Sequence, residues 1–307
     1  PGGAARRGGA PLVAEGGRRR FPGALEDQQG ALDPGLLAAV DRRYASSRRL
    51  DPDLCGYAEA QRWVVTFADT GAEAPATHLF LDGWVEYPYS RLNFAAWQRP
   101  EGSTDPLRHR RLEAPSFWWD RGDDDWQLLG RELGYPAGMP KTMVLDVTEA
   151  IAAGATRFRI ETNLEIYWDR VFLAPAEELP AERAVPLPLT RAIHRFGGYP
   201  REYSDDGALP LTYHYDERQP TLGYQPMGGM FTRYGEVGEL LGAVDDRFVV
   251  MGGGDELILT WGAGAAPAEG TRRTWLLDTH GYCKDRDPLT ATPSSVEPLP
   301  FGSMTSY

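Results

Sequence analysis

The stretch Arg157–Leu173, RFRIETNLEIYWDRVFL, places its side chains alternately on two sides from Arg157 to Asp169, one side mainly apolar and the other mainly polar. One side of an extended chain then carries Phe158, Ile160, Thr162, Leu164, Ile166 and Trp168. The other side carries Arg159, Glu161, Asn163, Glu165, Tyr167 and Asp169. A period of two is typical of a strand with one face in the core and the other in water. The sequence therefore predicts a half-buried β-strand whose second face is solvated.

Composition agrees with a β-rich protein. The chain has 307 residues, which suffices for one large or two ordinary domains. Its 9 Trp, 14 Tyr and 11 Phe, with 35 Gly and 25 Pro, favour many short strands joined by turns. A net charge of -12 disfavours nucleic acid as a partner. The sequence contains no apolar run of the ~18 residues that a transmembrane helix needs, so we expect no membrane span.

The chain divides by composition into three parts. Residues 1–44 are rich in Gly and Arg and predict a flexible tail, with one short helix at Pro34–Tyr44 capped by Asp33. Strand patterns follow, and we expect a β-sandwich over residues 45–178. Residues 179–307 begin with a Pro-rich connector and predict a second β-rich unit packed on the first. The predicted fold is mainly β, a jelly-roll-like sandwich followed by that second unit.

The order of elements in the first unit supports this fold. A strand runs into Asp146-Val147-Thr148, a short helix ends at Gly154, and a strand closing with YWDRVFL follows. This order resembles that of galactose-binding-like jelly rolls. The resemblance implies such a sandwich over residues 45–178.

A longer resemblance covers residues 55–307. It rests on FLDGWVEYPYSRLNFAAWQ (80–98), GYPAGMPKTMVLDVT (134–148), NLEIYWDRVFL (163–173), FTRYGEV (231–237), DDRFVVMGGGDELIL (245–259) and KDRDPLTATPSSVEPLPF (284–301). These segments resemble the region that lies C-terminal to the FG-GAP/VCBS repeats and the ASPIC/UnbV segment in bacterial cartilage-acidic-protein-like proteins. The resemblance implies an extracellular, cell-surface or periplasmic protein with upstream propeller-type repeats as a partner. It also implies a link to adhesion, carbohydrate or metal-ion binding.

Aromatic residues around a proline turn are the leading candidate for ligand binding. The predicted platform comprises Trp84, Glu86, Tyr87, Tyr89, Asn93 and Trp97. Aromatic faces stack on sugar rings while carboxylates and amides bind the hydroxyls. Trp118 and Trp119 are secondary candidates of the same kind. The alternative is that these aromatic side chains belong to the core.

Polar residues of Arg157–Leu173 raise the question of glycoside chemistry, which needs two carboxyl groups facing one sugar. Glu161, Asn163 and Glu165 are therefore secondary site candidates. The alternative is a solvated strand face. Asp169 is expected to form a local ion pair with Arg170.

Metal and thiol chemistry have weaker signals. Asp123, Asp124 and Asp125 form an oxygen-rich loop that would suit calcium, and a polar hairpin tip is the alternative. No other cofactor is indicated, since the five histidines lack metal-ligand spacing. Cys55 and Cys283 either form one disulfide or stay unpaired.

These observations favour a non-catalytic binding or interaction module of a larger exported protein, which recognises carbohydrate or a protein partner. One alternative is an enzyme or accessory domain that acts on carbohydrate or in secondary-metabolite biosynthesis. Another is a purely structural unit that packs on an upstream propeller.

Overall fold

A computed structural model describes residues 12–14, 19–51, 54–68, 78–98, 112–131, 133–137, 140–178, 185–204, 207, 211–221, 227–245, 247–271, 273 and 275–290. The chain forms two compact units, Pro1–Arg183 and Ala184–Tyr307. Both are built from antiparallel strands, and the prediction of a mainly β protein is confirmed. Within the described residues, no helix combines the length and apolar character needed to cross a membrane.

The strands of the first unit are β1 (Leu12–Ala14), β2 (Ala24–Asp27), β3 (Gly30–Leu32), β4 (Ala45–Ser46), β5 (Tyr57–Thr66), β6 (His78–Val85), β7 (Ser116–Asp120), β8 (Trp126–Gly130), β9 (Lys141–Asp146), β10 (Arg157–Leu164), β11 (Ile166–Ala174) and β12 (Ala176–Glu178). Its helices are α1 (Ser90–Trp97) and α2 (Thr148–Ala152), with a 3₁₀ turn at Pro34–Leu37. The second unit has β13 (Leu189–Phe196), β14 (Tyr199–Tyr203), β15 (Thr212–Gln219), β16 (Gly235–Glu236) and β17 (Asp255–Trp261), with a 3₁₀ turn at Gly238–Leu240.

The first unit is a β-sandwich. One sheet has six strands in the order β3-β2-β5-β10-β7-β8, and the other has four in the order β4-β11-β6-β9. A single hydrophobic cluster joins Val65 and Phe158 of the larger sheet to Leu81, Trp168 and Val171 of the smaller one. Burial of these side chains between the sheets supplies the main stabilisation of the unit.

The stretch Arg157–Leu173 is not one strand but two strands in opposite sheets. The chain crosses from β10 to β11 at Glu165, and the predicted apolar side stays buried throughout. The predicted solvated side is wrong at three positions, because Asn163 is 6%, Glu165 1% and Asp169 5% exposed. Neighbouring loops enclose the crossing, so polar side chains there contact protein instead of water.

The predicted flexible tail also differs from the structure. Residues 24–32 form β2 and β3 of the six-stranded sheet, while Leu25 and Leu37 are each 1% exposed in the core. Two well-placed leucines therefore anchor a segment whose composition is otherwise that of a linker. Asp33 caps a helical turn as predicted, with its Oδ1 accepting from Gly35 N at 2.8 Å, but the turn ends at Leu37.

The second unit contains a three-stranded sheet in the order β16-β13-β17 and the two-stranded ribbon β14-β15. In its described part, the buried apolar side chains are Ala192 and Val237. Buried polar contacts supplement this small core. His194 is 0% exposed, and its Nε2 lies 3.1 Å from Asp255 Oδ2.

Candidate functional site

A pocket of about 120 Å³ lies at the end of β6 in the first unit. Its lining includes Tyr44, Asp82, Trp84, Lys141, Thr142 and Asp169. Pockets that enclose a whole drug-sized ligand measure roughly 300–1,000 Å³. The pocket around Trp84, which we call the Trp84 pocket, therefore fits one end of a ligand.

Sheet register brings these residues together. On the four-stranded sheet, Asp82 of β6 pairs with Thr142 of β9 on one side and with Arg170 of β11 on the other. The β6–β11 register shifts between Trp168 and Arg170, which makes Asp169 the extra residue of a β-bulge. Bulges redirect side chains out of the regular pleat. This one accounts for Asp169 lying in the pocket lining.

Aromatic rings form one wall of the Trp84 pocket. The half-buried Trp84 ring lies 5.2 Å from Tyr167, whose ring lies 5.7 Å from Tyr44. Gly83, which precedes Trp84, leaves room for the buried Trp168 ring of the neighbouring strand, because a Cβ there would lie 2.8 Å from that ring. Trp84 and Tyr44 contribute to the pocket lining. The Tyr167 ring contacts both of them but is not itself part of the lining.

The two aspartates of the pocket differ in their partners. Asp82 accepts from the Thr142 hydroxyl at Oδ1 and from Arg170 Nε at Oδ2, the latter at 2.6 Å. Arg170 therefore pairs with Asp82, and the expected pair with Asp169 is wrong. Asp169 Oδ1 accepts from the backbone N–H groups of Asp41 at 3.2 Å and Arg42 at 3.1 Å. Burial raises the pKa of Asp169 above its ordinary value.

Glu165 lies in a network that uses its full hydrogen-bonding capacity. Arg49 donates to both oxygens, from Nη2 to Oε1 at 2.8 Å and from Nε to Oε2 at 2.9 Å. Gly56 N donates to Oε2 at 2.8 Å, and the Tyr167 hydroxyl donates to Oε1. A carboxylate has about four lone-pair sites. Glu165 therefore has none left for a substrate, and its role is structural.

Asn163 and Glu161, the other two site candidates on the stretch Arg157–Leu173, also have protein partners. Asn163 Oδ1 accepts from Glu113 N at 2.7 Å, and Glu161 Oε1 lies 3.1 Å from Arg159 Nε. The first contact joins β10 to a loop, and the second lies within β10 itself. They give no support to the predicted glycosidase alternative.

Glu86 and Cys55 flank the Glu165 network. Glu86 N donates to Glu165 O at 2.9 Å, and burial raises the pKa of the Glu86 carboxyl. Burial, together with the nearby Glu86 charge, raises the pKa of the Cys55 thiol to about 12. That thiol donates to Tyr87 O at 3.4 Å. Cys55 is thus a protonated structural group, and both cysteines are free.

Glu86, Tyr87, Tyr89 and Asn93, the other described side chains of the predicted platform, are not part of the Trp84 pocket lining. Tyr87 is exposed and its ring lies 6.2 Å from Tyr135. Tyr89 precedes α1 with the Arg91 guanidinium 5.2 Å from its ring, and Asn93 Oδ1 accepts from Tyr57 OH at 2.5 Å. Trp97 ends α1, and its side chain lies outside the described residues.

The secondary aromatic candidates lie on the six-stranded sheet. Arg159 lies between Trp118 and Trp126, with its guanidinium 4.8 Å and 4.5 Å from the two ring centres. Trp119 instead packs against the hydrophobic core. Trp118 and Trp126 are therefore engaged in cation–π contacts within the sheet.

The predicted calcium loop is the tip of the β7–β8 hairpin. Asp123 and Asp124 have φ angles of 53° and 61°, and Asp124 Oδ1 lies 2.7 Å from Arg157 Nη1. Where the structure describes the chain, no group of three His, Cys, Asp or Glu residues is arranged to hold a metal ion. These contacts match the alternative of a polar hairpin tip.

Sequence reasoning missed Tyr44, Asp82, Lys141 and Asp169 as parts of one site. They come from separate segments that only the sheet register joins. The local signal that could have been used is Asp82-Gly83-Trp84, in which a glycine beside a strand aromatic indicates close backbone packing.

The fold and pocket define the first unit as a β-sandwich with an aromatic-walled surface pocket. Comparison with known proteins adds no relative: no family model, no curated protein and no solved structure matches the chain.

Proposed function

We propose that the chain is a non-catalytic binding module that recognises carbohydrate at the Trp84 pocket. The observation that carries this proposal is the half-buried Trp84 ring beside an incompletely bonded carboxylate, that of Asp169. Sugar recognition combines an aromatic face for C–H groups with polar atoms for hydroxyls.

A binding role fits the carboxylates of the first unit better than hydrolysis does. Asp82 accepts from Thr142 and Arg170, and Glu165 accepts from Arg49, Gly56 and Tyr167. General acid–base catalysis needs a carboxyl group within hydrogen-bond reach of the reacting atoms. The contacts of Asp82 hold the pocket lining in place for binding, whereas Glu165 lies outside that lining.

The cellular setting is proposed from the resemblance of residues 55–307 to proteins with FG-GAP/VCBS repeats. On that basis the chain is part of an exported bacterial protein, located outside the cell, on its surface or in the periplasm. Propeller-type repeats upstream would then be its neighbour in the parent protein. A pocket that binds the end of a glycan suits such a setting.

The proposal is tested by screening the intact chain on a glycan array and measuring the affinity of the best ligand by calorimetry. Trp84→Ala should weaken binding at least about tenfold, because it removes the stacking face. Trp118→Ala is the matched control, since Trp118 is also a partly buried strand aromatic but lies on the other sheet.

Two results would overturn the proposal. The first is an intact, folded chain that binds no glycan. The second is a glycan that binds Trp84→Ala as tightly as the unmodified chain.

A further inference from the structure

We infer that the Trp84 pocket selects a ligand end with a free, positively charged amino group, such as an amino sugar that is not N-acetylated. This inference rests on the proposed function and names the class of sugar. It follows from the unshared oxygen of Asp169, the charges around it and the aromatic wall.

Asp169 has one oxygen without a protein partner. Its side chain is 5% exposed, and the hydrogen bonds from Asp41 and Arg42 both end at Oδ1. Within the described residues, no donor contacts Oδ2. In the part of the chain that the structure describes, the buried side-chain atoms that are sealed from solvent and make no hydrogen bond are Arg159 Nε, Trp168 Nε1 and Arg286 Nη1. Oδ2 is not among them, so it retains contact with solvent, and Asp169 is part of the lining of the Trp84 pocket.

The charges near Asp169 favour a cation. The charges of Asp41 and Asp82 both act unfavourably on its ionised form. Asp82 is offset by Arg170 and Asp41 by Arg43, at 2.6 Å and 3.0 Å. Asp169 itself forms no ion pair with a described residue. A buried carboxylate is stabilised by an oppositely charged partner.

The basic side chains near the pocket do not pair with the Asp169 carboxylate, so a ligand can supply its positively charged partner. Lys141 is the basic residue of the lining, but it is exposed, so its ammonium group can remain hydrated at the rim. The Arg42 side chain interacts with the Tyr44 hydroxyl, which offsets part of the rise in the pKa of that phenol. Neither side chain bonds to Asp169 Oδ2.

The aromatic wall adds a second preference for a cation. Trp84 and Tyr44 line the pocket, and aromatic ring faces attract ammonium groups through their quadrupole. A pocket of about 120 Å³ has room for an amino group and the adjoining part of a sugar ring. An N-acetyl group would add bulk and remove the charge.

Three β-1,4-linked hexasaccharides test the inference, because they differ only at C2: oligomers of glucosamine, N-acetylglucosamine and glucose. Calorimetry on the full chain should show the glucosamine oligomer binding at least about tenfold more tightly than the other two. Asp169→Asn should abolish that preference, since it removes the charge but keeps an acceptor for the two backbone N–H groups. Asp124→Asn, at the exposed hairpin tip, should retain it.

A variant at Lys141 keeps the inference testable even if the Asp169→Asn variant fails to fold. Lys141→Ala should strengthen glucosamine-oligomer binding about twofold or more, because it removes a competing cation from the lining. Trp84→Ala should weaken binding of the glucosamine oligomer at least about tenfold, which separates the pocket from general attraction to an acidic chain.

The outcomes separate the inference from the proposed function. Equal binding of the three oligomers, or glucosamine preference that survives in Asp169→Asn, would overturn the inference and leave carbohydrate binding intact. So would a different glycan that binds through Trp84 while all three oligomers fail. A chain that binds no glycan would overturn both.

Discussion

Four hydrogen bonds converge on the carboxylate of Glu165, which is 1% exposed. Its partners come from Arg49, from the loop at Gly56 and from Tyr167 in β11. The residue thus ties the crossing between the two sheets to the segments that cover it. A buried charge is tolerated only when it is paired and fully hydrogen-bonded, and Glu165 meets both conditions.

Glu165→Gln should lower the free energy of unfolding by about 3 kcal/mol. The substitution leaves Arg49 without its charge partner and places an amide donor where Gly56 N or Tyr167 OH also donates. Urea denaturation followed by tryptophan fluorescence measures the change. Glu161→Gln is the control on the same stretch, and its effect should stay within about 0.5 kcal/mol. Equal losses in the two variants would contradict the structural role of Glu165.

The two cysteines should react at very different rates in the native protein. Burial and Glu86 raise the pKa of Cys55 to about 12, whereas Cys283 is exposed. Thiolate is the reactive form, so iodoacetamide at pH 8 should alkylate Cys55 at least about 100-fold more slowly than Cys283. Mass spectrometry of timed samples gives both rates. In denaturant the rates should converge, and comparable native rates would rule out a protected Cys55.

At the scale of elements, the sequence revealed the strands but not the change of sheet. Leu164 and Ile166 both face the core, so the alternation continues without interruption through Glu165. A crossing between sheets that preserves the alternation of apolar and polar residues cannot be detected from a single sequence. The bulge at Asp169 is equally hidden, because it is defined only by the register against β6. This is why the sequence indicated Trp84 as a candidate but gave no sign that Asp169 lies beside it in the pocket lining.

Two glycines with positive φ should differ in their tolerance of a side chain. Gly56 has φ +83°, and a Cβ there would lie 2.1 Å from Pro88 N. Gly154 has φ +85°, with nothing within 4 Å of such a Cβ. Gly154→Ala should cost about 1 kcal/mol from backbone strain alone. Gly56→Ala should cost about 3 kcal/mol, since steric overlap with backbone adds to that strain. Thermal denaturation of both variants checks the difference, and equal melting temperatures would refute it.

The two units of the molecule differ sharply in how much apolar surface they bury. The first unit has a contiguous core between its sheets. In the described part of the second unit, Ala192 and Val237 are the buried apolar residues. Several of its large side chains are exposed, including Trp275 at 65% and Leu277 at 67%. Burial of apolar surface is the dominant favourable contribution to folding, so the two units should have unequal stabilities.

Hydrogen exchange should therefore resolve two levels of protection. Amides of β5, β6, β10 and β11 should exchange only through global unfolding of the first unit, because core strands open at the highest free energies. Amides of β13 and β17 should exchange at least about tenfold faster, since fewer buried contacts oppose their opening. The intact chain is exchanged for timed intervals and then digested with pepsin. Mass spectrometry of the peptides assigns the exchange rates to the strands. If β13 and β17 are protected as strongly as β10 and β11, the second unit must gain stability from contacts beyond the apolar burial of its described residues.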